Sequence, residues 1–253
     1  MAIRINCGRP ERNEVAALNR LTADLSDDWA LFTNLPRHLT GMGPRGREID
    51  ALALSPLGAV VIELKHFGGL ITVNPVGEWL VADKPLIDPR GHPQYPLQQA
   101  GKAAQILKSA LGEQARSVYI EACAVATRDS AKIQFADPSR PQAVMSLNDA
   151  ALRIEALARR TRGIPNPVLH AIFQLVGHEI PPKLAVKWRS SASASSAARS
   201  EAAGGFSRRD QMTGRRGVRH YRPKKQGKLP LWWILTAVIA GSFIGFYILA
   251  KTG

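Results

Sequence analysis

Asp50, Glu63 and Lys65 are the residues of this 253-residue chain whose types and spacing best suit chemistry. Two short apolar runs of β type, Ile49 to Leu54 and Ala59 to Lys65, flank Ser55-Pro56-Leu57-Gly58. Pro suits the first central position of a turn and Gly its close. A hairpin symmetric about the Pro56-Leu57 bond pairs Leu54 with Ala59 and, counting back, sets Asp50 opposite Glu63. Directly opposed Cβ atoms lie about 4.5 to 5.5 Å apart, and two carboxylates there repel unless positive charge stands between them. A hard divalent cation, Mg²⁺ or Mn²⁺, is one source of that charge, because such ions take one or two carboxylates and fill their other positions with water and phosphate oxygens. Lys65 is the other. Two residues beyond Glu63, it points to the same face of the strand and can pair with Glu63, leaving Asp50 as a plain strand start. With the ion, the set suits phosphodiester hydrolysis: the metal polarises the phosphate and acidifies a water, while the ammonium stabilises charge building up on phosphorus.

Those side chains need elements to hold them. In Glu11 to Leu25, the positions Glu14, Leu18, Leu21 and Leu25 form one stripe of an amphipathic helix, so a carboxylate shares the apolar stripe. Asp27, Asp28 and Trp29 read as a helix-to-strand turn with a packed Trp. Further short strands are predicted at Leu70 to Val73, Trp79 to Ala82 and Val118 to Ala126. Pro93 to Pro96 break the chain before a helix over Leu97 to Leu111. Two later helices follow caps at Asn148 and at Asn166-Pro167, the second ending near Gly177. This order predicts an α/β domain of two or three layers with a mixed sheet.

The segment Glu48-Ile49-Asp50, followed by Ser55-Pro56-Leu57-Gly58-Ala59-Val60-Val61-Ile62-Glu63-Leu64-Lys65-His66-Phe67-Gly68-Gly69, resembles the NERD (nuclease-related domain) family. The shared pattern is acid-Ile-Asp, an apolar strand, Glu-x-Lys and a following Gly. Pro96-Leu97-Gln98-Gln99, opening a helix, resembles the family's Pro-x-x-Gln element, and Glu14 matches the acid of its first helix. The resemblance spans roughly residues 10 to 127. That family is similar to the restriction-endonuclease-like, PD-(D/E)xK nucleases, which implies a mixed β-sheet flanked by helices. Carried over by position, Asp50 and Glu63 would be ligands of Mg²⁺ or Mn²⁺, Glu14 an additional acid at the metal, Lys65 the catalytic cation and Gln99 a positioning residue. Gln98 would replace Gln99 if the helix starts one residue differently. His66 stands where the family often shows a small polar residue and reads as an exposed strand-end histidine. The implied partner is nucleic acid, DNA ahead of RNA; the alternative is a catalytically silent binding module that keeps the fold.

Charge narrows the possibilities further. Lys and Arg number 34 against 20 Asp and Glu, a formal net charge of +14, yet residues 1 to 182 hold 20 basic and 18 acidic residues. The excess sits in residues 183 to 228, with 13 basic and 2 acidic residues, so a basic pI does not by itself mark the domain as binding nucleic acid. Gly41-Met42-Gly43-Pro44-Arg45-Gly46 fits GxGxxG but precedes a strand and is broken by Pro44, so it reads as a loop before Asp50. Arg45 and Arg47 in it are candidate contacts to a phosphate backbone. No P-loop or nucleophile elbow appears, and Cys7 and Cys123 form no CxxC or Cys/His set. His170, His178 and Glu179 lack zinc-protease spacing.

The division expected is a domain over 1–188, with its core at about 10–127 and a helical part at 128–182, then a basic Ser/Ala/Arg-rich linker at 189–228. A transmembrane helix at 229–250 and an outside tail at 251–253 complete it. From Leu231 to Ala250 there are 20 residues without a charge, long enough as a helix for the hydrocarbon core, with Trp232 and Trp233 at one interface and Tyr247 near the other. The basic stretch before it predicts, by the positive-inside rule, a single-pass protein of the cell membrane with its N-terminal domain cytoplasmic. The amino-terminal MAIRINCGRP has no apolar run of a signal peptide. The linker's basic half reads as a topology signal, or else as a lipid or nucleic-acid contact. Gly241 and Gly245 form GxxxG, a spacing that permits a homodimer.

Overall fold

In a computed structural model of the chain, residues 1–36, 48–88, 90–139, 141–161 and 163–189 are described. All belong to the first of the two units into which the chain divides, Met1–Gly205. Arg45, Arg47, Gly241, Gly245 and the apolar run at 229–250 lie outside the described residues. Among the described residues no helix is long and apolar enough to cross a membrane.

The chain opens with β1 (Ile3–Asn6), α1 (Arg12–Asp24) and β2 (Ala30–Leu35), followed by the hairpin β3 (Ile49–Ser55) and β4 (Gly58–Lys65). Three short strands come next, β5 (Leu70–Val73), β6 (Trp79–Val81) and β7 (Lys84–Pro85), then α2 (Pro96–Leu111) and a 3₁₀ turn. The remainder is β8 (Ile120–Ala126), β9 (Lys132–Phe135), β10 (Val144–Ser146), α3 (Leu147–Ala158) and α4 (Asn166–Leu175), and residues 182–189 are again helical.

Six strands form one mixed sheet in the order β1-β2-β3-β4-β8-β10, with β3 antiparallel to both β2 and β4, and β8 parallel to both β4 and β10. Both faces are covered, which is why β3 and β4 read as continuous apolar runs and not as alternating ones. On one face α2, α4 and residues 182–189 bury Leu107, Phe173 and Trp188 against Phe32, Leu54 and Val61. On the other, α1 and α3 bury Leu18, Leu21 and Ile154 with Trp29 against Leu31, Ala53 and Ile62. A second sheet, β7-β6-β5-β9, closes a third core in which Ile71, Val73 and Trp79 pack with Ala124, Ala126 and Val144. The segment 128–182 thus contributes two strands, β9 and β10, besides its helices, and the second sheet joins the expected strands β5 and β6 to β7 and β9, which were not expected.

Register follows the turn. Leu54 pairs with Ala59 and Ala51 with Ile62, as the symmetric hairpin requires. The turn is clasped from outside: Ile164 N–H donates to the Pro56 carbonyl at 2.9 Å and the Thr161 hydroxyl to that of Leu57 at 2.9 Å. A Cβ on Gly58 would stand 2.8 Å from Ala158 Cα, so the close approach of α3 requires glycine there. Two caps differ from expectation. Ser146, not Asn148, stands at the cap of α3, and Asn166 is already helical, with Pro165 before it.

Candidate active site

Asp50 enters from the start of β3 and Glu63 and Lys65 from the end of β4, on the face that carries Leu52, Leu54 and Val61. The continued register sets Asp50 opposite Glu63, and Asp50 Oδ2 accepts the Leu64 N–H at 2.7 Å. Glu63 is 8 % exposed, and its Oε1 lies 2.7 Å from Lys65 Nζ. On β8 the neighbours of Glu63 and Lys65 are Ala124 and Ala126, too small to cover them. Burial first, then the charge of Glu63, push the Asp50 carboxyl up to about 7; Glu14 adds to this, and the Leu64 N–H and Lys65 oppose it.

Two recesses share these three residues. The larger, about 530 Å³, is walled by α2 and the chain before it, with Glu48, Asp88, Gln94, Tyr95, Gln98, Gln99 and Lys102 around the trio. Its charged groups are four carboxylates and two ammonium groups. The smaller, about 310 Å³, adds Glu11, Glu14, His66 and Thr127. Glu14 sits in the first turn of α1, where its Oε2 accepts the Glu11 N–H at 3.1 Å and the Asn34 Nδ2–H at 3.1 Å. Of the two glutamines, Gln98 donates to the Val76 carbonyl at 3.2 Å and is exposed, whereas Gln99 is half-buried in the cleft wall. Helix α2 starts at Pro96, one residue before the expected Leu97, and both glutamines line the cleft, Gln99 the more buried of the two. His66 is exposed and its Nδ1 meets the Thr127 hydroxyl at 3.1 Å. Both thiols stand outside this chemistry, since burial pushes Cys7 up to about 11 and Cys123 up to about 12.

Every described candidate, Glu14, Asp50, Glu63, Lys65 and Gln99, therefore lines one of the two recesses. Residues 9–127 match the family model NERD, the nuclease-related domain. No curated protein and no solved structure matches the chain. The nuclease-related match takes in α1 through β8 and all five of those residues, and stops before β9, β10, α3 and α4.

The donor chemistry fits a hard cation. Asp50 and Glu63 offer only oxygen, and positive charge between them would relieve the repulsion from Glu63 that adds to burial in raising Asp50. Among the described residues no three His, Cys, Asp or Glu side chains form a metal-holding group, so the protein offers a carboxylate pair, within what Mg²⁺ accepts. Sequence reasoning missed Asn34, Tyr95 and Lys102. Lys102 could have been found, because it stands three residues after Gln99 on the same helix face.

Proposed function

We propose that this chain is a metal-dependent phosphodiesterase acting on nucleic acid, DNA ahead of RNA, tethered to the cytoplasmic face of the cell membrane through residues 229–250. The observation that carries the reading is the meeting of Asp50 and Glu63, from facing strands, in one cleft with the Lys65 ammonium beside Glu63. The nuclease-related match over that segment supports it, and the uncharged run and its basic flank support the tether.

Asp50 and Glu63 would hold Mg²⁺ or Mn²⁺, with Glu14 nearby. When bound, the ion would polarise a phosphate and acidify a water. Lys65 holds a positive charge at the cleft where charge develops on phosphorus, and Gln99 and Lys102 offer a donor amide and a second cation from α2 to orient the phosphate backbone. Four carboxylates around the cleft repel a polyanion, so substrate would enter with the cation and not ahead of it.

The test is cleavage of single- and double-stranded DNA and of RNA by the full-length chain with Mg²⁺ or Mn²⁺. Asp50→Asn and Lys65→Ala are each expected to lower the rate at least about 100-fold, the loss typical of removing one charge-stabilising group. Cleavage that survives both substitutions together contradicts the proposal.

A second reading has its own observation. The Lys65–Glu63 ion pair already neutralises Glu63, and a proton on Asp50 removes the remaining repulsion, so the acids can coexist without an ion. The chain would then be a silent binding module. Calorimetric titration separates the two: Mn²⁺ heat lost in Glu63→Gln supports the hydrolase, and no heat in the unsubstituted chain supports the module.

A further inference from the structure

Asn34 is an unusual residue to find where it lies. It sits in β2 between Thr33 and Leu35, whose partners are Ala51 and Ile49, so its own place in the register is opposite Asp50. It is 3 % exposed, and its φ of 53° is left-handed, a conformation that Asn tolerates better than most residues. The backbone turn has a visible result. Leu31 and Leu35 share the same parity along the strand, yet Leu31 packs with α1 and α3 while Leu35 joins the core beneath α2 and α4.

The side chain is equally committed. Its Nδ2 donates to Glu14 Oε2 at 3.1 Å, while its Oδ1 is buried with no hydrogen-bond partner among the described residues. Flipping the amide would set oxygen against oxygen at Glu14, so this orientation is the only one the carboxylate accepts. A buried carbonyl left unpaired is a cost native proteins seldom carry without use. The backbone on its other side is equally tight. A Cβ on Gly8 would lie 2.6 Å from the Asn34 carbonyl oxygen, so the chain just after β1 can pass only as glycine.

Glu14 needs such a device. Helix α1 packs on the face of the sheet opposite α2, whereas Asp50 and Glu63 share the α2 face, and only at its first turn does α1 bring a carboxylate into the recess that Asp50 and Glu63 line. We propose that Asn34 is a positioning residue that carries Glu14 to the acid pair, its left-handed backbone turning the amide toward α1 and its Nδ2–H fixing the carboxylate. This rests on the cation reading above, in which Glu14 completes the surroundings of an ion held by Asp50 and Glu63.

The experiment is calorimetric titration of the full-length chain with Mn²⁺ alone. Asn34→Gly keeps the left-handed backbone and deletes the amide, and it is expected to weaken Mn²⁺ binding about tenfold, as loss of an outer-shell partner does. On a Glu14→Gln background the same substitution is expected to change nothing further, because Asn34 acts through Glu14. Should Asn34→Gly lose its cooperative thermal transition, Asn34→Asp replaces it, keeping the shape and exchanging donor for acceptor, with the same loss expected. Unsubstituted chain that binds Mn²⁺ while Asn34→Gly binds it equally well overturns the role of Asn34 alone. Full additivity with Glu14→Gln does the same. Unsubstituted chain that takes up no Mn²⁺ overturns the cation reading and this inference with it.

Discussion

Burial and the neighbouring Glu63 push the Asp50 carboxyl up to about 7, so the folded domain keeps a proton that an unfolded chain, with aspartate near about 3.9, has already released. The sign follows: a raised acid stabilises the fold below the unfolded pKa, and that contribution is lost as pH climbs from about 4 through 7. Asp50→Asn removes the titration while keeping an oxygen for the Leu64 N–H. At pH 8 it should be more stable than the unsubstituted chain by on the order of a few kcal/mol, read as a higher melting temperature, while Mn²⁺ binding disappears. Equal melting of the two across pH 4 to 8 would show that Asp50 titrates normally. His66→Ala, in contrast, should leave cleavage within about twofold, because the ring is exposed and meets only Thr127. The trio was legible because a turn of fixed length and a period of two settle which acids face each other. Asn34 was not, since a lone Asn in an apolar run signals a left-handed residue only once the register of both neighbouring strands is known.

The hairpin of β3 and β4 is the element on which the site depends, and its register is fixed from the turn end. Gly58 is the tightest point, with Ala158 against it and the Thr161 hydroxyl on Leu57. Gly58→Ala should cost about 1–3 kcal/mol by overpacking, read as a lower denaturation midpoint with an unchanged slope. Any slip by one residue would carry Asp50 to the α1 face and leave Glu63 behind. On α2, Gln99→Ala should lower cleavage about tenfold or more while Gln98→Ala, whose amide serves the Val76 carbonyl, changes it little. Strands β3 to β6 and β8, with α1 and α2, could be read from apolar periodicity and from Pro punctuation. The edge strands β1, β9 and β10 could not, because they span three or four residues and owe their pairing to partners distant in sequence, nor could β7, a two-residue strand that turns back on β6.

At the scale of the whole molecule, the matched segment 9–127 is less than the folded unit. Strand β10 pairs with β8 along one edge, α3 covers the α1 face, and α4 with residues 182–189 covers the α2 face. A chain cut after residue 127 should therefore be insoluble or molten, whereas one ending at 205 should melt cooperatively, which far- and near-ultraviolet dichroism would distinguish. The charge asymmetry was visible in composition; the need for the later helices was not, because nothing local to 128–189 says which face it must close. The tryptophans offer a way to watch that closure. Trp188 lies in the core beneath α2 and α4, Trp29 in the one beneath α1 and α3, and Trp79 under the second sheet, so each layer holds a single indole of its own. Emission from versions of the 1–205 piece that keep only one of them would report the three layers separately, and a shared central sheet means that all three spectra should redden at the same temperature.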